Sequence, residues 1–151
     1  IYEFSDYNCG YCKRIFIDLQ AVLAEQPDVR LVVKEFPILA ETSVLAAKAA
    51  IAAQRQGKFR QFHIALMTWR GRIDADAINA ASQEAGLDDK RLLKDMEDEV
   101  TAAILSRTRA AAAALEVRGT PALIIGETVI PGAISKNEIL DLINQTRAAK
   151  N

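Results

Sequence analysis

Cys9-Gly10-Tyr11-Cys12 constrains this chain more than any other stretch, because its two thiols are the only cysteines among 151 residues. Cysteines with two residues between them can close a small disulfide ring. So short a loop removes little conformational entropy from the unfolded chain, which makes the ring a poor staple and points to working chemistry instead. The flanks narrow the fold. Ile1-Tyr2-Glu3-Phe4 has strand character, Ser5 to Asn8 reads as a turn, and Lys13 to about Glu25 has helical periodicity. Ile15, Phe16, Leu19, Val22 and Leu23 share one face of that helix, and Pro27 closes it. Cys9 is thereby expected at a helix N-terminus.

That position matters chemically. Disulfide exchange proceeds through a thiolate, and the free N–H groups and dipole of a helix N-terminus favour negative charge. Lys13 and Arg14 add positive charge nearby. Cys12, one turn further in, is expected to be less exposed. In this reading Cys9 is the nucleophile that forms a mixed disulfide and Cys12 the thiol that resolves it. Two other readings stand beside it: half of a zinc site, or two incidental core cysteines. Zinc takes about four ligands, and with His63 the single histidine such a site would have to recruit carboxylates.

The rest of the chain reads as one globular domain, residues 1–151, with 50% hydrophobic residues and a net charge of −1. That charge gives no reason to expect nucleic acid or an anionic membrane as partner. No apolar run approaches the roughly 18 residues needed to cross a bilayer. The chain begins at Ile1, already inside the first expected strand, so an upstream segment is expected: a signal peptide, an extra strand or an oligomerisation segment.

Val29 to Phe36 is β-branched and apolar enough for a second strand, ended by Pro37, giving a strand–helix–strand unit with a right-handed crossover. From about Ser43 to Val117 only helical periodicity is visible. Val44 to Gln56 is alanine-rich; Phe59, Phe62, His63, Leu66 and Met67 sit at helical spacing. Asp74 is a cap flanked by a staple of Ile73 and Ile78, and Gly86 is a stop. Leu87-Asp88 repeats the device before one long helix carrying Leu92, Met96, Val100, Ile104, Ala111 and Leu115. Ala122 to Ile125, a Gly126-Glu127 turn and Thr128 to Ile130 form a hairpin, and Ser135 with Glu138 is a capping box for a last helix.

This order resembles the α/β thioredoxin fold, with a mixed central sheet and a helical insert of the DsbA type. The thioredoxin halves fall at about 1–40 and 117–151 and the insert at about 41–116. Glu3-Phe4-Ser5-Asp6-Tyr7-Asn8-Cys9-Gly10-Tyr11-Cys12-Lys13 resembles the active-site segment of bacterial DsbA-like proteins, including the suppressor-of-copper-sensitivity ScsC group. Lys34 to Leu39, Phe62 to Met67 and Val117 to Ala122 are similar to that group too. The resemblance implies that Pro121 is a cis-proline lying against the cysteine pair, leaving the backbone of Thr120 free to pair with an extended substrate. Without it, Pro121 reads as a trans proline opening a strand. The resemblance also implies an acidic residue near the buried cysteine, at Glu3, able to relay a proton to or from Cys12. The residue pattern alone equally permits a solvent-facing strand glutamate. Glu35 reads as a surface residue, His63 as a partly buried structural histidine, Trp69, Phe59 and Phe62 as core, and Tyr7 and Tyr11 as apolar surface around Cys9, or Tyr7 as filling of the turn.

The resemblance implies a periplasmic thiol–disulfide oxidoreductase that forms or reshuffles disulfides in exported proteins. It would need no organic cofactor or metal and would act on cysteine-containing substrates with a membrane redox partner. A homo-oligomer could form through the upstream segment. The Gly-Tyr dipeptide departs from the Pro-His of strongly oxidising DsbA enzymes and the Pro-Tyr of ScsC, which favours isomerase or mixed activity. A thioredoxin-like reductant and a Cu(I)-binding protein of a copper-tolerance system are the alternatives.

Overall fold

The computed structural model describes residues 1–149. It holds, in chain order, β1 (Tyr2–Ser5), α1 (Gly10–Glu25), β2 (Val32–Glu35), α2 (Glu41–Arg55), α3 (Phe59–Thr68), α4 (Ala75–Ala85), α5 (Asp89–Met96), α6 (Glu99–Ala114), β3 (Ala122–Ile125), β4 (Thr128–Pro131) and α7 (Lys136–Ala148). The strands form one mixed sheet in the order β2-β1-β3-β4. β1 runs parallel to β2 and antiparallel to β3, and β3 turns back into β4 through Gly126-Glu127. Gly126 adopts φ +61°, a left-handed conformation that glycine reaches without a side-chain clash.

Each face of the sheet is covered. On one, Ile15, Leu19 and Val22 of α1 and Ile139 and Ile143 of α7 pack with Leu123 and Ile125 of β3. On the other, Phe4 and Phe36 meet edge to face, with ring centres 5.8 Å apart, and pack with Ala112 and Val117 at the end of α6. Helices α2 to α5 share a further core with Tyr7, Cys9, Cys12 and Phe16. α2 buries five alanines in it, which lets the neighbouring helices approach its backbone closely, while Phe62, Leu66, Ile73, Ile78, Leu92 and Met96 supply the bulk.

The local signals explain most boundaries. Asp74 accepts a hydrogen bond from the Ala77 N–H at 3.0 Å and opens α4, Gly86 closes it at φ +68°, and Asp88 caps α5. Ser135 and Glu138 close both hydrogen bonds of the capping box on α7. Two expectations need correction. The second strand is shorter than expected, because Val29 to Leu31 lead into it and only Val32–Glu35 pairs with β1. The single long helix after Asp88 is two helices. Asp98 takes an extended conformation (φ −70°, ψ 141°), accepts from the Val100 N–H at 2.8 Å and ion-pairs with Arg55 at 2.9 Å, so the chain restarts there. The restart rotates the apolar stripe: Val100 and Leu115 face solvent, and α6 instead buries Thr101, Thr108 and Ala112.

Candidate active site

The turn between β1 and α1 delivers Cys9. The Cys9 N–H bonds to the Asp6 carbonyl at 3.0 Å, and Cys9 is the N-cap of α1, its Sγ accepting from the Cys12 N–H at 3.3 Å. A sulfur thus stands where a capping oxygen usually satisfies a free helix N–H. Both cysteines are thiols here, Cys9 at 5% exposure and Cys12 at 0%. Burial pushes the Cys12 thiol well above its ordinary range, opposed in part by the Asp6 backbone. The two sulfurs therefore differ in access.

The other half of the fold closes over this pair. The Thr120–Pro121 peptide is cis, and the Cys9 thiol donates to the Thr120 carbonyl at 3.3 Å. Contacts spanning 111 positions in the chain thus bring Cys9, Thr120 and Pro121 together. Beside them runs a groove of about 440 Å³ lined by Arg118, Gly119, Thr120, Pro121, Val129 and Pro131, among others. Tyr11, Ile38 and Leu39 add exposed apolar surface near the same end of the sheet. Lys13 does not turn to the cysteines: its ammonium donates to the Trp69 carbonyl at 2.7 Å, while the Arg14 guanidinium sits over the Tyr11 ring.

The sheet face under α1 carries carboxyls. Ser5 pairs with Glu35 across β1 and β2, and Glu3 lies two residues from Ser5, so all three share the face that α1 covers. Glu3 is buried, not solvent-facing. Burial raises its pKa to about 7, and Ser5 tempers the rise without closing a hydrogen bond with it. Glu35 is also buried, contrary to its surface reading, and burial with the negative charge of Glu3 and Asp6 raises it to about 8. Its partner is Tyr7, whose hydroxyl donates to Glu35 Oε1 at 3.0 Å and lies 2.9 Å from His63 Nδ1. Tyr7 is therefore interior, and Tyr11 alone of the flanking tyrosines is surface. Cys9 and Cys12 are the soft donors of the site; among the described residues no group of three or more His, Cys, Asp or Glu side chains is placed to hold a metal ion.

Sequence comparison decides the family. Residues 1–144 match the DSBA-like thioredoxin domain. The chain belongs to that family. Solved structures agree. A thioredoxin-like oxidoreductase from Silicibacter pomeroyi DSS-3 superimposes with a TM-score of 0.94 at 37% identity, over 97% of this chain and 85% of that one. A periplasmic thioredoxin-like protein from Salmonella enterica serovar Typhimurium gives 0.89 at 34% identity, over 97% and 83%. ScsC of Proteus mirabilis gives 0.90 at 26% identity, over 99% and 84%. Among curated proteins the chain is 24% identical to the Na(+)/H(+) antiporter NhaA of Herminiimonas arsenicoxydans, over 96% of this chain but only 23% of that protein. The chain thus spans about a quarter of the length of that relative.

Two residues that hold this DSBA-like site together, both within the segment that carries the resemblance, are given no role of their own by the sequence. Asp6, buried in the turn, accepts from the N–H groups of Asn8 (2.8 Å), Ile38 (2.9 Å) and Leu39 (3.1 Å), tying the cysteine loop to the segment after β2. Asn8 donates to Thr42 Oγ1 and Ser43 Oγ and accepts from the Ile73 N–H at 3.2 Å, pinning the same loop to the helices between the sheet halves. An Asp-x-Asn turn is a common local pattern. Only the long-range partners reveal it as a clamp.

Proposed function

We propose that the Cys9/Cys12 couple exchanges disulfides with cysteine-containing protein substrates, forming or reshuffling disulfides in exported proteins. One observation carries this: a sulfur caps α1 beside the Thr120 carbonyl, 3.3 Å from that oxygen and from the Cys12 N–H, while the second sulfur is fully buried. In the oxidising direction a substrate thiolate attacks Cys9 Sγ and breaks the Cys9–Cys12 bond. The Cys12 sulfur leaves with the electron pair and takes up a proton. A second substrate thiolate then attacks the substrate sulfur of the mixed disulfide, forms the substrate disulfide and releases Cys9. Two electrons move from the substrate to the couple, and a membrane redox partner protein takes them away. In the reshuffling direction the reduced Cys9 attacks a wrong disulfide and is later displaced by a substrate thiol, with no net electron transfer.

Thr120 and Pro121 position the substrate: proline presents no N–H there, so an extended segment can pair with the Thr120 backbone along the groove. Glu3, held neutral by burial up to about pH 7, is the proton partner for Cys12. Resemblance to a protein described as periplasmic supports an exported location, and no helix among the described residues is long and apolar enough to cross a membrane. The reduction potential against glutathione, with a scrambled-substrate assay, tests the reading. A value between about −120 mV, where DsbA lies, and about −200 mV, with isomerisation of the scrambled substrate, is expected. One near −270 mV assigns a thioredoxin-like reductant instead.

A further inference from the structure

The buried cluster on the α1 side of the sheet reaches a residue that also lines a surface groove. Glu35, Tyr7 and His63 form an unbroken hydrogen-bonded row of 3.0 and 2.9 Å that starts on the carboxyl-bearing face of the sheet and ends on α3. His63 is stacked on Phe59 with ring centres 5.2 Å apart and met edge-on by Tyr7 and Phe16. Its Nδ1 is taken by Tyr7; its Nε2 is buried and has no hydrogen-bond partner among the described residues. The same residue lines a surface groove of about 620 Å³ with Phe59, Arg60, Ile64, Val33 and Leu23. A histidine kept only for packing has no need of a tyrosine that joins it to a buried glutamate.

We propose that Glu35, Tyr7 and His63 are a proton conduit between the groove beside α3 and the buried carboxyls on the sheet face under α1. The proposal rests on the oxidoreductase reading, in which Cys12 takes up and gives up a proton in each cycle. The row has two neutral arrangements of the imidazole. With Glu35 ionised, Tyr7 donates to Glu35, His63 Nδ1–H donates to Tyr7, and Nε2 is bare. A proton added at Nε2 lets Nδ1–H pass to the tyrosine oxygen and the tyrosine proton pass to Glu35. The carboxyl is then neutral and donates to Tyr7, Tyr7 donates to Nδ1, and the proton stays on Nε2. One proton has been taken in at the histidine end and one delivered to Glu35; Tyr7 keeps its own proton count, and the ring is neutral at both ends of the step but in the other tautomer. The environment suits this. Burial lowers His63 to about 4, so the ring does not stay charged near neutral pH, and burial raises Tyr7 well above its usual range, so its hydroxyl passes protons without ionising. Glu3 and Asp6, from β1 and the turn after it, face Glu35 together with Tyr7; Arg60 lines the groove at the His63 end. Tyr7 and His63 are positioning residues: their hydrogen bonds run to Glu35 and to each other, not to a sulfur, and they act through Glu35.

His63 is the single histidine of the chain, so a nitrogen-15 spectrum of the histidine-labelled reduced protein shows one ring. The ring should remain neutral from pH 6 to 9 while its proton moves from Nε2 to Nδ1 as the pH rises through about 8, where Glu35 ionises. In Tyr7→Phe and in Glu35→Gln the tautomer should no longer follow pH. Resolution of the Cys9 mixed disulfide should slow about tenfold or more in both, because proton transfer by a placed group contributes roughly 10²–10⁴-fold. Should one variant fail to fold, the other carries the test. A wild-type tautomer that ignores pH, or a ring that becomes cationic across this range, overturns the conduit, as do variants that resolve the mixed disulfide at the wild-type rate. Electron exchange by the wild-type protein is measured alongside. Exchange with an unresponsive tautomer removes the conduit alone, whereas an inert cysteine pair removes the oxidoreductase reading whatever the ring does.

Discussion

Glu3→Gln should stabilise this protein at alkaline pH and leave it nearly unchanged in acid. Burial lifts Glu3 from its ordinary 4.5 to about 7. Below about 4.5 the side chain is protonated whether the chain is folded or not, and its ionisation costs nothing. Between the two values the unfolded chain loses the proton and the folded one keeps it, so stability falls as pH rises, by about 1.4 kcal/mol per pH unit. Above about 7 the loss is complete, at about 3 kcal/mol. Glutamine cannot ionise, so its advantage should grow by that amount between pH 4 and pH 8. Any fixed cost of seating an amide there is the same at both ends and cancels. Urea titrations of the reduced protein and the variant at the two pH values measure the difference directly, with similar m-values confirming a common unfolded state. A difference that does not change with pH, or that turns against glutamine at pH 8, refutes the claim that this carboxyl is buried without a compensating charge.

Iodoacetamide should modify Cys9 in the folded, reduced protein and leave Cys12 untouched, since Cys12 is fully enclosed and its thiol is pushed up; peptide mass mapping checks this, and equal labelling contradicts it. Asp6→Ala strands three backbone N–H groups and should cost about 3 kcal/mol, a fall in Tm of roughly 6–12 °C by calorimetry. A fall under about 2 °C speaks against the clamp. Gly126→Ala places a Cβ 2.6 Å from Thr146 Oγ1 at φ +61°; a loss of about 1–3 kcal/mol is expected. Thr146→Ala should recover part of it, leaving the backbone cost, and no recovery means that the clash is not the cause.

How far the chain could be read depended on whether a signal was local. The cap at Asp74, the stop at Gly86 and the box at Ser135–Glu138 rest on neighbours within four positions, and the structure shows each of them. The break at Asp98 was hidden because Leu92, Met96, Val100 and Ile104 recur every four residues, as they would on one continuous helix; the Arg55 ion pair that helps hold Asp98 out of helix comes from α2. Cys9 and Cys12 announced themselves through their spacing, whereas Thr120 and Pro121 became neighbours of Cys9 only through the fold. The burial of Glu35 was not legible, and that of Glu3 was implied only by the resemblance. Alternation shows which strand residues share a face, but whether that face meets water depends on α1 lying across it, and a carboxylate is the side chain least expected to be covered. His63 was legible as structural, but its tie to Tyr7 and Glu35 spans 56 positions to one and passes through that residue to the other.

Substrate trapping tests the central claim most directly. Cys12→Ser, offered an oxidised substrate protein, should accumulate a disulfide-linked adduct through Cys9 that dithiothreitol dissolves, while Cys9→Ser should accumulate none. An adduct that forms through Cys12 when Cys9 is absent, or an unmodified Cys12→Ser after prolonged incubation, would contradict the assignment of Cys9 as the sulfur that meets the substrate.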